Sequence, residues 1–220
     1  MIAASLITDM VPPILASESC EKALVWMDEF RVAHLPVIDG LEYIGLVSDS
    51  LIYDSNESDI PLRELNLISY RPFVYEDQHV YDVMKLMSDL NISVVPILGK
   101  NNEYKGLTTT QYVMSAITNM ASVSEVGAVI VIEMNENDYS MAQLGQLIEG
   151  NDTKILSSHV TSTANSTMVE VTLKLNRKDI GGVLQTLYRY EFNVKETFAG
   201  NQYEEDMQDR YDSLLKFLDI

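Results

Sequence analysis

The chain nearly repeats itself. Displaced by 60 residues, it pairs Ala23 with Val83, Met27 with Met87, Phe30 with Leu90, Val32 with Ile92, Leu35 with Val95 and Pro36 with Pro96. One residue further in register, Tyr43 matches Tyr104, Gly45 matches Gly106 and Leu46 matches Leu107. The extra residue falls in a polar turn, Asp39 to Glu42 against Gly99 to Glu103, where an insertion is cheap because loop closure depends only weakly on length. Self-similarity at a fixed period means one supersecondary unit used twice, so the first half of the chain folds as two copies of one design, about 1–60 and about 61–122.

Each copy reads alike. Ser17 or Ser19 in the first and Asp77 in the second offer a short side-chain oxygen to the free amides of a helix's first turn. Ala23, Leu24, Met27 and Phe30 then share one helical face, as do Val83, Met84, Met87 and Leu90. An apolar β-rich stretch follows in each copy (Leu35 to Ile38; Val94 to Leu98), then a turn and a second strand, Tyr43 to Ser48 and Tyr104 to Thr109. The second copy continues into an apolar helix, Gln111 to Met120.

HLPVID…YIGLVSDS and SVVPILG…YKGLTTT resemble the tandem CBS-domain (Bateman) module, in which a strand carrying x-P-V-x-D is followed by a hairpin and G-h-h-[ST]-x-x-D. The resemblance covers about residues 1–122. It implies clefts between the two repeats that take an adenosine compound, such as AMP, ATP or S-adenosylmethionine, as a regulatory ligand, with no cofactor required. Carried over by position, the hydroxyl that meets phosphate and ribose falls on Ser48 and Thr109. The strand segment beside the base falls on His34, Leu35 and Pro36, and on Val94, Val95 and Pro96. Ile14 and Val74, before the first helices, supply backbone groups toward the base. The family's ribose-binding Asp is replaced by Leu51 and Tyr112. That departure keeps a second expectation open, a ligand-free structural or interaction module with degenerate clefts. The resemblance also implies a homodimer formed through the pair, with an unidentified protein partner as a further expectation.

Beyond Ser124 the pattern changes. Strands are expected at Gly127–Met134, Ile155–Thr161, Met168–Leu175 and Val194–Ala199. Helices are expected with Met141, Leu144, Leu147 and Ile148 on one face, and from Asp179 to Glu191. The order β-α-β-β-α-β is the ferredoxin-like split βαβ, over about 125–200. A displacement of 40 pairs Val129 with Val169 and Leu144 with Leu184, as two halves of such a unit should. NRKDIGGVLQTLYRYEFNVKETF resembles the ACT domain, a regulatory module that often binds amino acids, and the whole arrangement is similar to the acetoin-utilisation type of CBS protein. Residues 203–220, with Met207, Leu214, Leu215 and Leu218 apolar, are expected to form a C-terminal helix. The fold class is therefore mixed α/β (α+β): a CBS pair, a ferredoxin-like (ACT-like) βαββαβ domain and a terminal helix.

Charge narrows the functions. With 15 Lys+Arg against 33 Asp+Glu, the formal charge is −18. Such a surface repels phosphate backbones and anionic lipid, so neither nucleic acid nor membrane is an expected partner. No apolar run approaches the roughly 20 residues that span a bilayer, the N-terminus lacks a basic signal-peptide region, and the lone Cys20 suits a reducing compartment. A cytoplasmic protein is expected. His34, His79 and His159 are scattered, without metal-ligand spacing, and no nucleophile elbow, P-loop or dinucleotide fingerprint is present. No catalytic or metal residues are expected, and the reading is a non-catalytic regulator. The acidic run Glu204-Glu205-Asp206-Asp209 reads as a solvated helix cap, and Asp54 to Asp59 as a solvated connector.

Overall fold

The computed structural model describes residues 1–55, 59–65, 71–162 and 166–199. It divides into two compact units, Met1–Ile117 and Thr118–Ile220. The expected terminal helix at 203–220 lies outside the described residues.

In the first unit the repeated sequence gives a repeated structure. The first copy consists of β1 (Ile14–Leu15), α1 (Cys20–Phe30), β2 (His34–Asp39), β3 (Glu42–Ser48) and α2 (Asp49–Ser55). The second consists of β4 (Val74–Tyr75), α3 (Val80–Leu90), β5 (Val94–Leu98), β6 (Tyr104–Thr109) and α4 (Thr110–Met120). Each makes a three-stranded sheet of the same order, β1-β2-β3 and β4-β5-β6, the first pair parallel and the second antiparallel. Even the irregularities recur: a register shift sits between Val37 and Ile38 and again between Ile97 and Leu98. Opposite the second shift, Gly106 has φ +155°, and a Cβ there would stand 2.6 Å from Ile7 Cγ2.

Capping fixes the helix starts. Ser19 accepts from the Lys22 N–H at 3.2 Å and begins α1. The second helix begins two residues later than Asp77 suggests. His79 caps it by accepting from the Tyr81 N–H at 3.3 Å, while Asp82 accepts from the His79 N–H at 3.2 Å. An imidazole nitrogen serves the helix start as a carboxylate would, because any acceptor of suitable reach satisfies the exposed amides. Both helices end on a left-handed residue, Arg31 (φ 54°) and Asn91 (φ 51°).

The two copies are not independent bodies. The segment before β1 docks on the second copy: the Ala3 N–H donates to Gln78 O at 2.8 Å, and the Thr8 N–H to Leu107 O at 3.0 Å. Ala3 and Leu6 are buried there with Val74, Val83 and Val95. The segment before β4 docks on the first copy, where the Leu62 N–H donates to Glu18 O at 2.8 Å and Leu62 packs with Cys20 and Met27. The strands cross as well. Leu46 of β3 belongs to the second copy's core, whereas Val94 and Leu107 belong to the first's. Because each buried Leu contributes roughly 1.5–3 kcal/mol, neither core is complete without the other copy.

The second unit contains β7 (Val129–Asn135), α5 (Met141–Glu149), β8 (Ile155–Ser162), β9 (Met168–Leu175), α6 (Gly181–Arg189) and β10 (Asn193–Phe198). The sheet is antiparallel with order β10-β7-β9-β8, the split βαβ arrangement. Burial alternates along β7 and β9, as a sheet with one covered face requires. Ile130, Ile132, Val171 and Leu173 pack against Leu144 and Ile148 of α5 and Leu184 and Leu187 of α6. At Gly127 a Cβ would stand 1.7 Å from Leu175 O, so the chain enters this sheet where only glycine fits.

Candidate functional site

The sequence places candidate residues on the strands next to the second helix of each copy, and the strand register brings them together in pairs. His34 lies opposite Ser48, Leu35 opposite Val47 and Pro36 opposite Leu46. In the second copy Val94 lies opposite Thr109, Val95 opposite Thr108 and Pro96 opposite Leu107. Ile14 and Val74 stand farther along, paired with Val37 and Ile97. Seven of these candidates, Ile14, Leu35, Pro36, Val74, Val94, Val95 and Pro96, are buried. Their side chains build the cores, so backbone atoms are what they have to offer a cleft. His34, Ser48 and Thr109 are half-buried and keep polar atoms near the surface.

The two hydroxyls first serve their own helices. Ser48 Oγ accepts from the Leu51 N–H at 3.1 Å and bonds Ser50 Oγ at 2.9 Å. Thr109 Oγ1 accepts from the Tyr112 N–H at 3.3 Å. A hydroxyl has one donor and two acceptor lone pairs, so capping uses only part of its capacity. The Thr109 proton has no acceptor among the described residues and remains available, whereas Ser48 shares a hydroxyl pair with Ser50.

His34 faces the other copy. Its Nδ1 lies 3.1 Å from Ser93 Oγ and 3.3 Å from the Ser93 backbone nitrogen, and Ser93 Oγ in turn accepts from the Ala33 N–H at 3.1 Å. Since the Ser93 N–H donates to it, Nδ1 is the unprotonated nitrogen of the neutral ring. Burial pushes the imidazole below its ordinary value, and the nearby Asp49 carboxylate opposes that shift. This histidine therefore ties the two copies together as a neutral acceptor. Ser93 occupies the position of Ala33 in the other copy, and a polar residue standing opposite an apolar one is the signal that would have found it.

One cleft is walled by both copies. A cavity of about 430 Å³ is lined by Met10 and Val11, by Phe30, Arg31 and Val32 at the end of α1, by Ser93 just before β5, and by Thr109, Thr110 and Tyr112 where β6 passes into α4. Of the sequence candidates, Thr109 lines it. Tyr112, at the position expected for a ribose-binding carboxylate, also lines it and is 40% exposed. Arg31 carries no local signal in the sequence, because its partners in the cleft lie about eighty residues away, and Phe30 shows there only as part of its helix's apolar face. Mixed apolar walls with a few convergent polar groups are what small-molecule sites require. Among the described residues no group of three His, Cys, Asp or Glu side chains is placed to hold a metal ion, and no helix is long and apolar enough to cross a membrane.

The site lies in a pair of β-α-β-β-α units, and the second of them falls within a match to a known family. The CBS domain family model matches residues 59–119; the first copy has the same element order and strand register. Solved structures similar to this chain include a CBS domain pair/ACT domain protein from Thermotoga maritima, 17% identical with a TM-score of 0.47, covering 54% of this chain and 98% of that one. Another is CBSX2 in complex with AMP, 20% identical with a TM-score of 0.45, covering 54% and 96%. A third is a CBS domain pair in complex with 5′-methylthioadenosine and S-adenosyl-L-methionine, 22% identical with a TM-score of 0.43, covering 54% and 97%.

Proposed function

We propose that this chain is a non-catalytic regulatory protein whose CBS pair senses an adenosine compound in the cleft between its repeats. The observation that carries the reading is that cleft: Phe30 to Val32 from one copy and Thr109 to Tyr112 from the other line a single cavity of about 430 Å³. A ligand bridging two bodies favours whichever mutual arrangement it fits better, so its binding free energy biases that arrangement. The ferredoxin-like unit, as an ACT-like domain, relays this bias to a homodimer or to a protein partner in the cytoplasm. The candidate hydroxyl for a phosphate is Thr109, with Ser48 as its counterpart and with Ile14, His34, Leu35, Pro36, Val74, Val94, Val95 and Pro96 shaping the clefts through their backbones and packing.

A second reading is a structural module with no ligand. It is favoured by the capping duties of Ser48 and Thr109 and by Leu51 and Tyr112 at the carboxylate positions. Thermal unfolding of the intact chain against AMP, ATP, S-adenosylmethionine and adenosine separates the two. A ligand at about 100 times its dissociation constant adds about 2.7 kcal/mol of stability. A rise in melting temperature with one adenosine compound supports the sensor; a flat panel on cooperatively melting protein supports the module.

A further inference from the structure

The two helix ends that mark the repeat differ in one respect that bears on the cleft. Asn91 ends α3 in the left-handed region at φ 51°, where Asn is well tolerated, but Arg31 ends α1 at φ 54°. A side chain with a long Cβ substituent is unfavourable in that conformation, and glycine or Asn usually stands there. Backbone strain of this kind tends to be kept where a side chain has a task. Arg31 lines the cleft described above, and its guanidinium has no ion pair or hydrogen bond among the described residues, in a chain with 33 acidic and 15 basic side chains. Across the cleft stand Tyr112 and the Thr109 hydroxyl with its uncommitted proton. Glu29 lines the same cavity. In the other copy, the position of Val11 holds Arg71, but that guanidinium donates to the Tyr43 carbonyl and lies 5.7 Å from the Tyr43 ring centroid.

We infer that Arg31 makes this cleft select a ligand with one anionic group on a planar ring. The guanidinium and the Thr109 hydroxyl hold the anion, and the Tyr112 ring lies against the planar part. A fork of donors suits a phosphate or carboxylate, and an aromatic ring takes the place of a chelating carboxylate by offering contact area without charge. The Glu29 carboxylate disfavours further negative charge, so a monophosphate is preferred to a triphosphate. This inference rests on the reading of the cleft as a ligand site.

Calorimetric titration of the full chain with AMP, adenosine and ATP tests it. Arg31→Asn installs the residue that the other copy uses at a left-handed helix end, so the variant folds, with a melting temperature equal to or above that of the parent. It should bind AMP at least tenfold more weakly and adenosine unchanged. Tyr112→Ala should weaken both. AMP affinity unaltered in Arg31→Asn overturns the role of Arg31 while leaving the cleft a ligand site, and adenosine affinity unaltered in Tyr112→Ala overturns the ring contact. If the parent binds none of the three probes, the cleft reading itself falls.

Discussion

The two repeats have one backbone plan and different polar interiors. Tyr43 and Tyr104 occupy equivalent strand positions, yet the Tyr43 hydroxyl donates to Pro72 O at 3.0 Å and the Tyr104 hydroxyl is buried with no partner among the described residues. Burial pushes the Tyr104 phenol up as well. Val47 of the first copy is Thr108 in the second, fully buried, and its hydroxyl also has no partner among the described residues. His34 of the first copy is Val94 in the second. Duplication preserved what the backbone needs, namely caps, bulges and crossed core residues. It left the polar details free to diverge, because each costs only about 1–3 kcal/mol when unsatisfied.

The largest effects should come from what the copies share. Leu46→Ala and Leu107→Ala each remove a leucine from the other copy's core, and each should destabilise by about 2–5 kcal/mol. Because the cores interlock, urea unfolding of either variant should show both copies failing in one transition. Separate transitions would show that the two copies fold as independent bodies. Gly106→Ala comes next: with φ +155° and Ile7 pressed against the added methyl, a loss of about 1–3 kcal/mol is expected, visible in the same denaturation curves.

Smaller effects should separate the copies. Tyr43→Phe loses a buried hydrogen bond and should cost about 1 kcal/mol, while Tyr104→Phe should be neutral or stabilising. Thr108→Val gives the second copy the residue of the first and should raise the melting temperature, by about 1 kcal/mol of stability; Val47→Thr should lower it. Equal responses from the two tyrosines, or a loss from Thr108→Val, would erase the contrast.

The smallest effect is on pH. The folded state holds the His34 imidazole neutral below its ordinary value. As pH falls below about 6.5, the unfolded chain takes up its proton first. The stability contributed by this site is therefore present above that pH and is lost as the pH falls toward the folded-state value. A urea midpoint measured from pH 7.5 to 5 should show this loss, and His34→Val, which copies Val94, should reduce it.

Much of this was legible in the sequence. The Met168–Leu175 strand is found at its expected bounds, and α1 starts at one of the two serines expected to cap it. Periodicity and capping are properties of neighbouring residues, and the chain displays them directly. The second helix start was less legible: His79 does not look like a cap until its ring is seen to accept from Tyr81.

The candidate site was legible only in outline. The resemblance to the tandem CBS-domain module pointed to Ser48 and Thr109, but their first duty is to their own helix amides. It also pointed to His34, whose partner Ser93 is 59 residues away.

The sequence by itself determined that there are two copies of one unit, that each carries a helix followed by a strand hairpin, and that a split βαβ unit follows; the short strands β1 and β4 and the helix α2 emerged only in the structure. The elements it determined follow from spacing over a few residues, where sterics and hydrophobic alternation act. Only the tertiary structure decided that the leading segments are exchanged, that Leu46 and Leu107 cross into each other's cores, and that Arg31 shares a cleft with Tyr112. Contacts between residues sixty or eighty positions apart form only after both copies have folded against each other, and no local pattern encodes which surfaces meet.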